Sequence, residues 1–254
     1  MAVLIAGLDI GRVCGGGGAA GREPLQIPAP EGFVFHHLNA WEEGDTVAVE
    51  SIYYSDFPSI GPDEDFRSID FDLLPEGLLE QCRIHLADGT VSTTRLSERC
   101  CEFAMVNPER EGLSCRYAWM AVAERETGND PLQAIKKLDL ISGERKLWSA
   151  APRGFVTEPV MVPRPGATAE DDGWVLCLIW NGARCASDLV ILDAASLAEL
   201  AVLEVIGTDA GAPATLPVQH QQRLRQAQLI AAPKRLHPAL RGWGGDSLPE
   251  LLAS

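Results

Sequence analysis

The chain is poor in basic residues and lacks the cysteine spacings that bind zinc. Lys and Arg number 21 against 36 Asp and Glu, which gives a formal net charge of −15. An acidic surface of this kind argues against nucleic acid as a partner. The 7 cysteines form an odd set without a Cys-x-x-Cys pair, so neither a disulfide framework nor a zinc ribbon is indicated. A reducing compartment, cytoplasm or plastid, fits this composition.

Long apolar runs are also missing. No stretch approaches the roughly 18 apolar residues of a membrane-spanning helix. The short apolar start, residues 1–8, lacks the basic residues of a secretory signal. With 254 residues and 46% hydrophobic content, the chain can bury one sizeable core, or a large part of a bigger one.

Residues 1–30 are predicted to be a Gly/Pro-rich leader and not a domain. Gly16-x-Gly18-x-x-Gly21 formally matches the dinucleotide-binding fingerprint, which requires a helix directly after its glycines. Residues 22–30 contain three prolines instead and cannot form that helix. We therefore interpret this stretch as a flexible linker.

Hairpin signals recur at a regular interval from residue 83 onward. Apolar runs flank three turns, at residues 87–89, 141–143 and 193–195, and such turns between apolar runs are typical of β-hairpins. Equivalent positions lie about 50 residues apart, the spacing of β-propeller blades. We predict an all-β partial propeller of three to four blades over residues 31–206, followed by a divergent tail, residues 207–254.

A propeller protects its sheet edges and faces by closing into a ring. Three to four blades leave two outer faces open. We therefore expect the chain to be part of a longer protein, or its open faces to be covered by another chain.

Two apolar runs contain residues suited to metal chemistry. His36 and His37 lie in the first, and only one of them can point inward because successive strand residues face opposite sides. A strand can present a fixed imidazole to a metal, although a core histidine with a satisfied hydrogen bond is the alternative for an isolated pair. Glu102 lies in the second run, between Cys101 and Phe103, where an unpaired charge is costly.

Several motifs together resemble the carotenoid cleavage dioxygenases, or carotenoid oxygenases. In chain order they are FVFHHLNAWEE at 33–43, CEFAMVNP at 101–108, EPVMVPRPG at 158–166, AEDDGW at 169–174 and DLVILDA at 188–194. The resemblance implies a seven-bladed propeller with iron(II), Fe(2+), on its axis, held by four histidines. It also implies that O2 splits a C=C bond of a carotenoid or apocarotenoid substrate into aldehyde or ketone products.

The resemblance assigns roles to residues of this chain. His36 matches an iron ligand, and His37 is its neighbour, which should face away. Glu102 and Glu158 match carboxylates that hydrogen-bond to ligand rings and so fix their tautomer and orientation. Residues 170–172 are interpreted as a solvated turn, and contact with a membrane surface stays open.

The chain departs from the family pattern at both ends. About as much chain again, with two further histidines, precedes the His36 motif in the family. Arg241 stands where the family has its last histidine ligand, and a guanidinium repels Fe(II) because it keeps its charge. We therefore expect a truncated form that binds iron poorly and lacks independent activity.

Two alternatives to a dioxygenase stay open. One is a non-catalytic propeller fragment that binds an apolar ligand or a partner chain. The other, a kelch-like interaction protein, explains the repeat but not His36, Glu102 and Glu158 together.

Overall fold

The computed structural model describes residues 27, 30–61, 65 and 68–205. The predicted leader, apart from Ile27 and Pro30, and the whole predicted tail lie outside these residues. No helix in the described ranges is long and apolar enough to cross a membrane.

The described part of the chain is all-β, as predicted. Short 3-10 helices occur at Phe71–Leu73 and Pro108–Arg110. The strands are β1 (Phe33–Glu43), β2 (Thr46–Tyr54), β3 (Leu78–His85), β4 (Val91–Arg95), β5 (Cys101–Met105), β6 (Tyr117–Ala123), β7 (Leu132–Asp139), β8 (Arg145–Ser149), β9 (Gly154–Val156), β10 (Val160–Pro163), β11 (Gly173–Asn181), β12 (Ala186–Asp193) and β13 (Glu199–Val205).

The strands form three antiparallel sheets, each made from one continuous stretch of chain. The first sheet has the order β1-β2-β3-β4 and the second β5-β6-β7-β8. The third has the order β10-β11-β12-β13, and β9 also pairs with β11. Successive four-stranded meanders of this kind are the blades of a propeller.

The three predicted hairpins are present between β3 and β4, β7 and β8, and β12 and β13. Gly89 and Gly143 adopt φ angles of +69° and +76° at the first two turns. Residues with side chains rarely adopt this left-handed conformation, which explains why glycine ends each of these two turns, in Asp88-Gly89 and Ser142-Gly143.

Two apolar cores lie between the sheets. The first joins the first and second sheets, and the second joins the second and third. The fully buried members of the first core include Ile52, Leu79 and Met120, and those of the second include Trp119, Ile135, Met161 and Val175.

A third apolar cluster lies on the far face of the third sheet. Val160 and Val162 alternate along β10 with Met161, which belongs to the second core, so they point to the opposite side. Trp174 and Ile191 join them there. The third sheet is therefore apolar on both faces, as a sheet between two neighbouring blades must be.

Asn39 ties the first sheet to the second through hydrogen bonds. Its side-chain amide donates to the carbonyl oxygens of Arg110 and Leu113 at 3.3 and 2.8 Å, and its Oδ1 accepts from the Gly112 N–H at 3.0 Å. The side chain of one strand thus satisfies the backbone of a loop in the next sheet, which contributes to the packing of the two sheets.

Glu50 is a buried acid between the first and second sheets. It is 1% exposed, and its Oε1 accepts a hydrogen bond from Gln81 at 3.0 Å. Its Oε2 has no hydrogen-bond partner among the described residues. Burial raises the pKa of Glu50 to about 7, against the smaller opposing effect of Gln81. The carboxyl group is thus stabilised in its neutral form.

We expect Ile135→Ala to lower the free energy of unfolding by about 2–5 kcal/mol, since it opens a cavity in the second core. Ile141→Ala is a matched control, because Ile141 is 78% exposed whereas Ile135 is 0% exposed. Its effect should stay within about 0.5 kcal/mol. Urea denaturation followed by tryptophan fluorescence measures both, and equal losses would contradict the assigned core.

We expect Glu50 to make the protein less stable as the pH rises. Its folded-state pKa of about 7 lies above the ordinary value of 4.5, so the contribution of Glu50 to stability is fully present below pH 4.5 and is lost as the pH rises to 7. The loss is on the order of 3 kcal/mol. Glu50→Gln should remove this dependence and be the more stable protein at pH 8 but not at pH 4.5. Urea midpoints at the two pH values test this, and parallel pH profiles would show that Glu50 is not responsible.

Candidate functional site

The first strands of the three sheets, here called the leading strands, lie next to one another. They are β1 in the first sheet, β5 in the second, and β9 with β10 in the third. Glu102 of β5 contacts His36 of β1, and the Met161 N–H of β10 donates to the Met105 sulfur of β5 at 2.8 Å. Leading strands that meet in this way are the inner strands of a wheel of blades.

Each leading strand is irregular at the residue that the sequence singled out. In β1, pairing shifts between Val34 and His37, so His36 lies in a bulge. In β5, pairing shifts between Glu102 and Met105. β9 and β10 both pair with β11 and are separated by residues 157–159, which include Glu158. Bulges commonly redirect side chains next to active sites.

His36 and Glu102 form the closest polar contact between two leading strands. His36 Nδ1 lies 2.6 Å from Glu102 Oε2, and the side chains are 45% and 12% exposed. Because a carboxylate accepts, Nδ1 is the donor, and in the neutral ring Nε2 then keeps its lone pair. This is the tautomer in which Nε2 can bind a metal.

His37 faces away from this contact. Its Nδ1 lies 2.7 Å from Ser51 Oγ within the first sheet. Burial, and to a lesser extent the neighbouring His36, lower the pKa of His37. As expected, His36 faces Glu102 of the next sheet, whereas His37 faces the other way.

Two further donors hold the Glu102 carboxylate. The Tyr54 hydroxyl donates to Oε1 at 2.7 Å, and the Phe103 N–H donates to Oε2 at 3.0 Å. Burial raises the pKa of Tyr54, and the bond to Glu102 raises it further, so the hydroxyl stays a donor. Tyr54 was not predicted from the sequence, although an aromatic residue with a polar end in an apolar strand is a signal for such a role.

One aromatic ring contacts the imidazole, and three others cluster nearby along the chain. Phe103 has a φ of 55°, which is rare for a bulky residue, and its ring centroid lies 5.1 Å from that of His36. Phe33, Phe35 and Phe57 form a second group, with centroids 4.6 to 5.9 Å apart. Phe35 and Phe57 are 46% and 52% exposed. They form an apolar surface that starts at Phe35, the residue next to His36 in β1, whose ring lies 5.4 Å from that of Tyr54. Sequence analysis did not single out these rings.

Glu158 is positioned differently from Glu102. It is half-buried between β9 and β10, and no described residue forms a hydrogen bond or ion pair with its carboxylate. The structure brings His36 and Glu102 together and does not join Glu158 to them. Arg241 lies outside the described residues.

The interpretation of residues 170–172 as a solvated turn is wrong for Glu170. Its side chain is 11% exposed, and its Oε1 accepts from the backbone N–H groups of Arg116 and Tyr117, each at 2.7 Å. Asp171 pairs with Lys137 of β7. The turn is bound to the second sheet because both acids find donors there, which composition alone did not reveal.

Within the described ranges, no group of three or more His, Cys, Asp or Glu side chains is arranged to hold a metal ion. His36 is thus a single candidate ligand and not a complete site. The donor chemistry fits iron, since a neutral imidazole backed by a carboxylate is a common ligand for it.

The geometry defines a class of protein: a β-propeller that presents a carboxylate-backed imidazole on an inner strand. A family model described as retinal pigment epithelial membrane protein matches residues 15–208. The chain therefore belongs to this family, which is the carotenoid oxygenase family predicted from the motifs.

Two curated relatives and a crystal structure support this family assignment. The chain is 48% identical over 182 residues to the apocarotenoid-15,15'-oxygenase of Synechocystis sp., covering 72% of this chain and 37% of the relative. It is 29% identical over 181 residues to the carotenoid cleavage oxygenase of Mycobacterium tuberculosis, covering 68% and 35%. A cobalt-substituted Synechocystis apocarotenoid oxygenase superposes with a TM-score of 0.70 at 47% identity, covering 73% of this chain and 39% of that one.

These matches confirm the predicted family and the partial propeller. The chain spans less than half the length of each of these relatives.

We expect Glu102→Gln to destabilise the fold by about 1–3 kcal/mol. An amide has only one accepting oxygen. If that oxygen replaces Oε2, Tyr54 loses its partner; if it replaces Oε1, His36 and the Phe103 N–H both lose theirs. Glu158→Gln is the matched control and should change the free energy of unfolding by less than about 0.5 kcal/mol, since no described residue bonds to Glu158. Equal effects of the two substitutions in urea denaturation would contradict the geometry of the contact.

Proposed function

We propose that this chain supplies part of the active centre of a non-haem iron(II) dioxygenase. The enzyme would split one C=C bond of a carotenoid or apocarotenoid and place one oxygen atom of O2 on each carbon, giving two carbonyl products. The observation that carries this proposal is the 2.6 Å contact between His36 Nδ1 and Glu102 Oε2.

In this proposal His36 binds the metal through Nε2. Glu102 holds the ring in the required tautomer and keeps it oriented, a role that commonly affects metal affinity 10–100-fold. Bound iron(II) would supply the activation of O2. The cobalt-substituted form of the Synechocystis relative supports a metal site in that protein.

Glu158 is proposed to act in the same way on a second ligand histidine. Its carboxylate is half-buried, lies at a break in a leading strand and has no partner among the described residues. A buried or half-buried carboxylate needs a donor, and a ligand imidazole from another blade would provide one.

The apolar surface that starts at Phe35 suits a hydrocarbon substrate. Phe35 and Phe57 are half-exposed there, and such rings exclude water and contact a polyene along its length. The names of both curated relatives point to substrates of this kind.

A single imidazole does not retain iron in water, so the remaining ligands have to come from other blades. The third sheet is apolar on both faces, and the cluster on its far face, with Val160, Val162 and Trp174, favours packing against a further blade. The same face also supports the second candidate function, a non-catalytic propeller unit that binds an apolar ligand or a partner chain.

Complementation separates the two functions. The purified chain is loaded anaerobically with Fe(II), alone and after co-expression with the remaining blades of the Synechocystis relative, and then given O2 and an apocarotenal. We expect iron bound at one per complex and cleavage of the apocarotenal only in the complemented protein. Both should be lost in His36→Ala and retained in His37→Ala, the adjacent control.

Association of the two polypeptides without iron would support the non-catalytic unit. Iron binding and cleavage that survive His36→Ala would contradict the proposed ligand.

A further inference from the structure

The Tyr54 hydroxyl is a polar group inside an apolar core. Tyr54 is 6% exposed at the end of β2 and belongs to the first apolar core. A phenolic hydroxyl in such surroundings needs a hydrogen-bond partner. It finds one in the neighbouring sheet, at Glu102 Oε1, 2.7 Å away.

The two oxygens of Glu102 receive donors from opposite directions. Oε2 accepts from the His36 ring and from the Phe103 N–H, while Oε1 accepts from Tyr54. A carboxylate held at one oxygen only can turn about its last side-chain bond. The Tyr54 hydroxyl therefore fixes the plane of the carboxylate and the direction in which Oε2 faces His36.

Neutral donors hold the Glu102 carboxylate in this orientation. Within the described ranges, no Arg or Lys forms an ion pair with Glu102, and His36 is the one basic side chain that contacts it. The neighbouring Cys100 and Cys101 add no negative charge beside Glu102, because burial raises the pKa of Cys100 to about 11 and that of Cys101 to about 12. Because no strong cation orients the carboxylate, its orientation depends on each of the neutral donors.

We propose that Tyr54 is a positioning residue for the metal-binding imidazole. Acting through Glu102, it holds the proton of His36 on Nδ1 and leaves the Nε2 lone pair free for the metal. This inference rests on the proposed function, since it deepens the role of the same imidazole.

The test is the tautomer of His36, which a merely structural tyrosine would not change. The chain is labelled with 15N-histidine and examined by NMR at a pH of about 8.5, where imidazoles are ordinarily neutral. The 5 histidines make assignment practical, and the resonances missing in His36→Gln identify His36. We expect a pyrrole-like Nδ1 and a pyridine-like Nε2.

In Tyr54→Phe the ratio of the Nδ1–H to the Nε2–H tautomer should fall about five- to tenfold, the equivalent of one ordinary hydrogen bond. Tyr53→Phe is the matched control. Tyr53 is the adjacent residue, its side chain points to the other face of β2, and its hydroxyl bonds to the Glu31 carbonyl. This control should leave the ratio unchanged within about twofold.

A measurement on the unmodified chain covers the case in which Tyr54→Phe does not fold. Only 3 tyrosines are present, and a Tyr54 hydroxyl proton bonded to Glu102 should exchange slowly and show a nuclear Overhauser effect to its neighbours at the site. Absence of that protected proton would overturn the inference.

The outcomes separate this inference from the proposed function. A Nδ1–H tautomer that persists unchanged in Tyr54→Phe overturns the positioning role and leaves the proposed ligand intact. A Nε2–H tautomer in the unmodified chain overturns both, because neither the carboxylate contact nor the free lone pair then exists.

Discussion

The contact between His36 and Glu102 is the interaction on which the site depends. It joins the leading strands of two successive sheets at 2.6 Å, so it exists only when those sheets pack in one orientation. Its strength depends on a carboxylate that is mostly removed from water yet has three donors. The bulges in β1 and β5 place the two side chains within reach, so irregularity in the strands is part of how the site is built.

The sheets support one another through both apolar and polar contacts. Each apolar core lies between two sheets and belongs to neither alone. Asn39 and Glu170 add hydrogen bonds from one sheet to the backbone of the next. A blade in this arrangement is stable only beside a neighbour, which agrees with the apolar residues on both faces of the third sheet.

Much of the fold was predictable because its signals are local. Turn glycines such as Gly89 and Gly143, strand alternation and the repeat of about 50 residues depend on neighbours in the chain. The roles of His36 and Glu102 came from motif resemblance, and the structure brings those two residues together. Tyr54 and the binding of Glu170 to the second sheet were missed, because their partners lie 48 and 53–54 positions away.

The amino-acid sequence by itself determined the all-β class and the hairpins, since both are matters of residue type and spacing. Its motifs also identified the family and, through that resemblance, the candidate ligand. Only the tertiary structure decided which nitrogen of His36 meets an acceptor, which donors hold Glu102, and that Glu158 and Glu102 have different surroundings. Hydrogen bonds are directional and act over about 3 Å. They are therefore set by how the sheets pack, which no local pattern in the chain records.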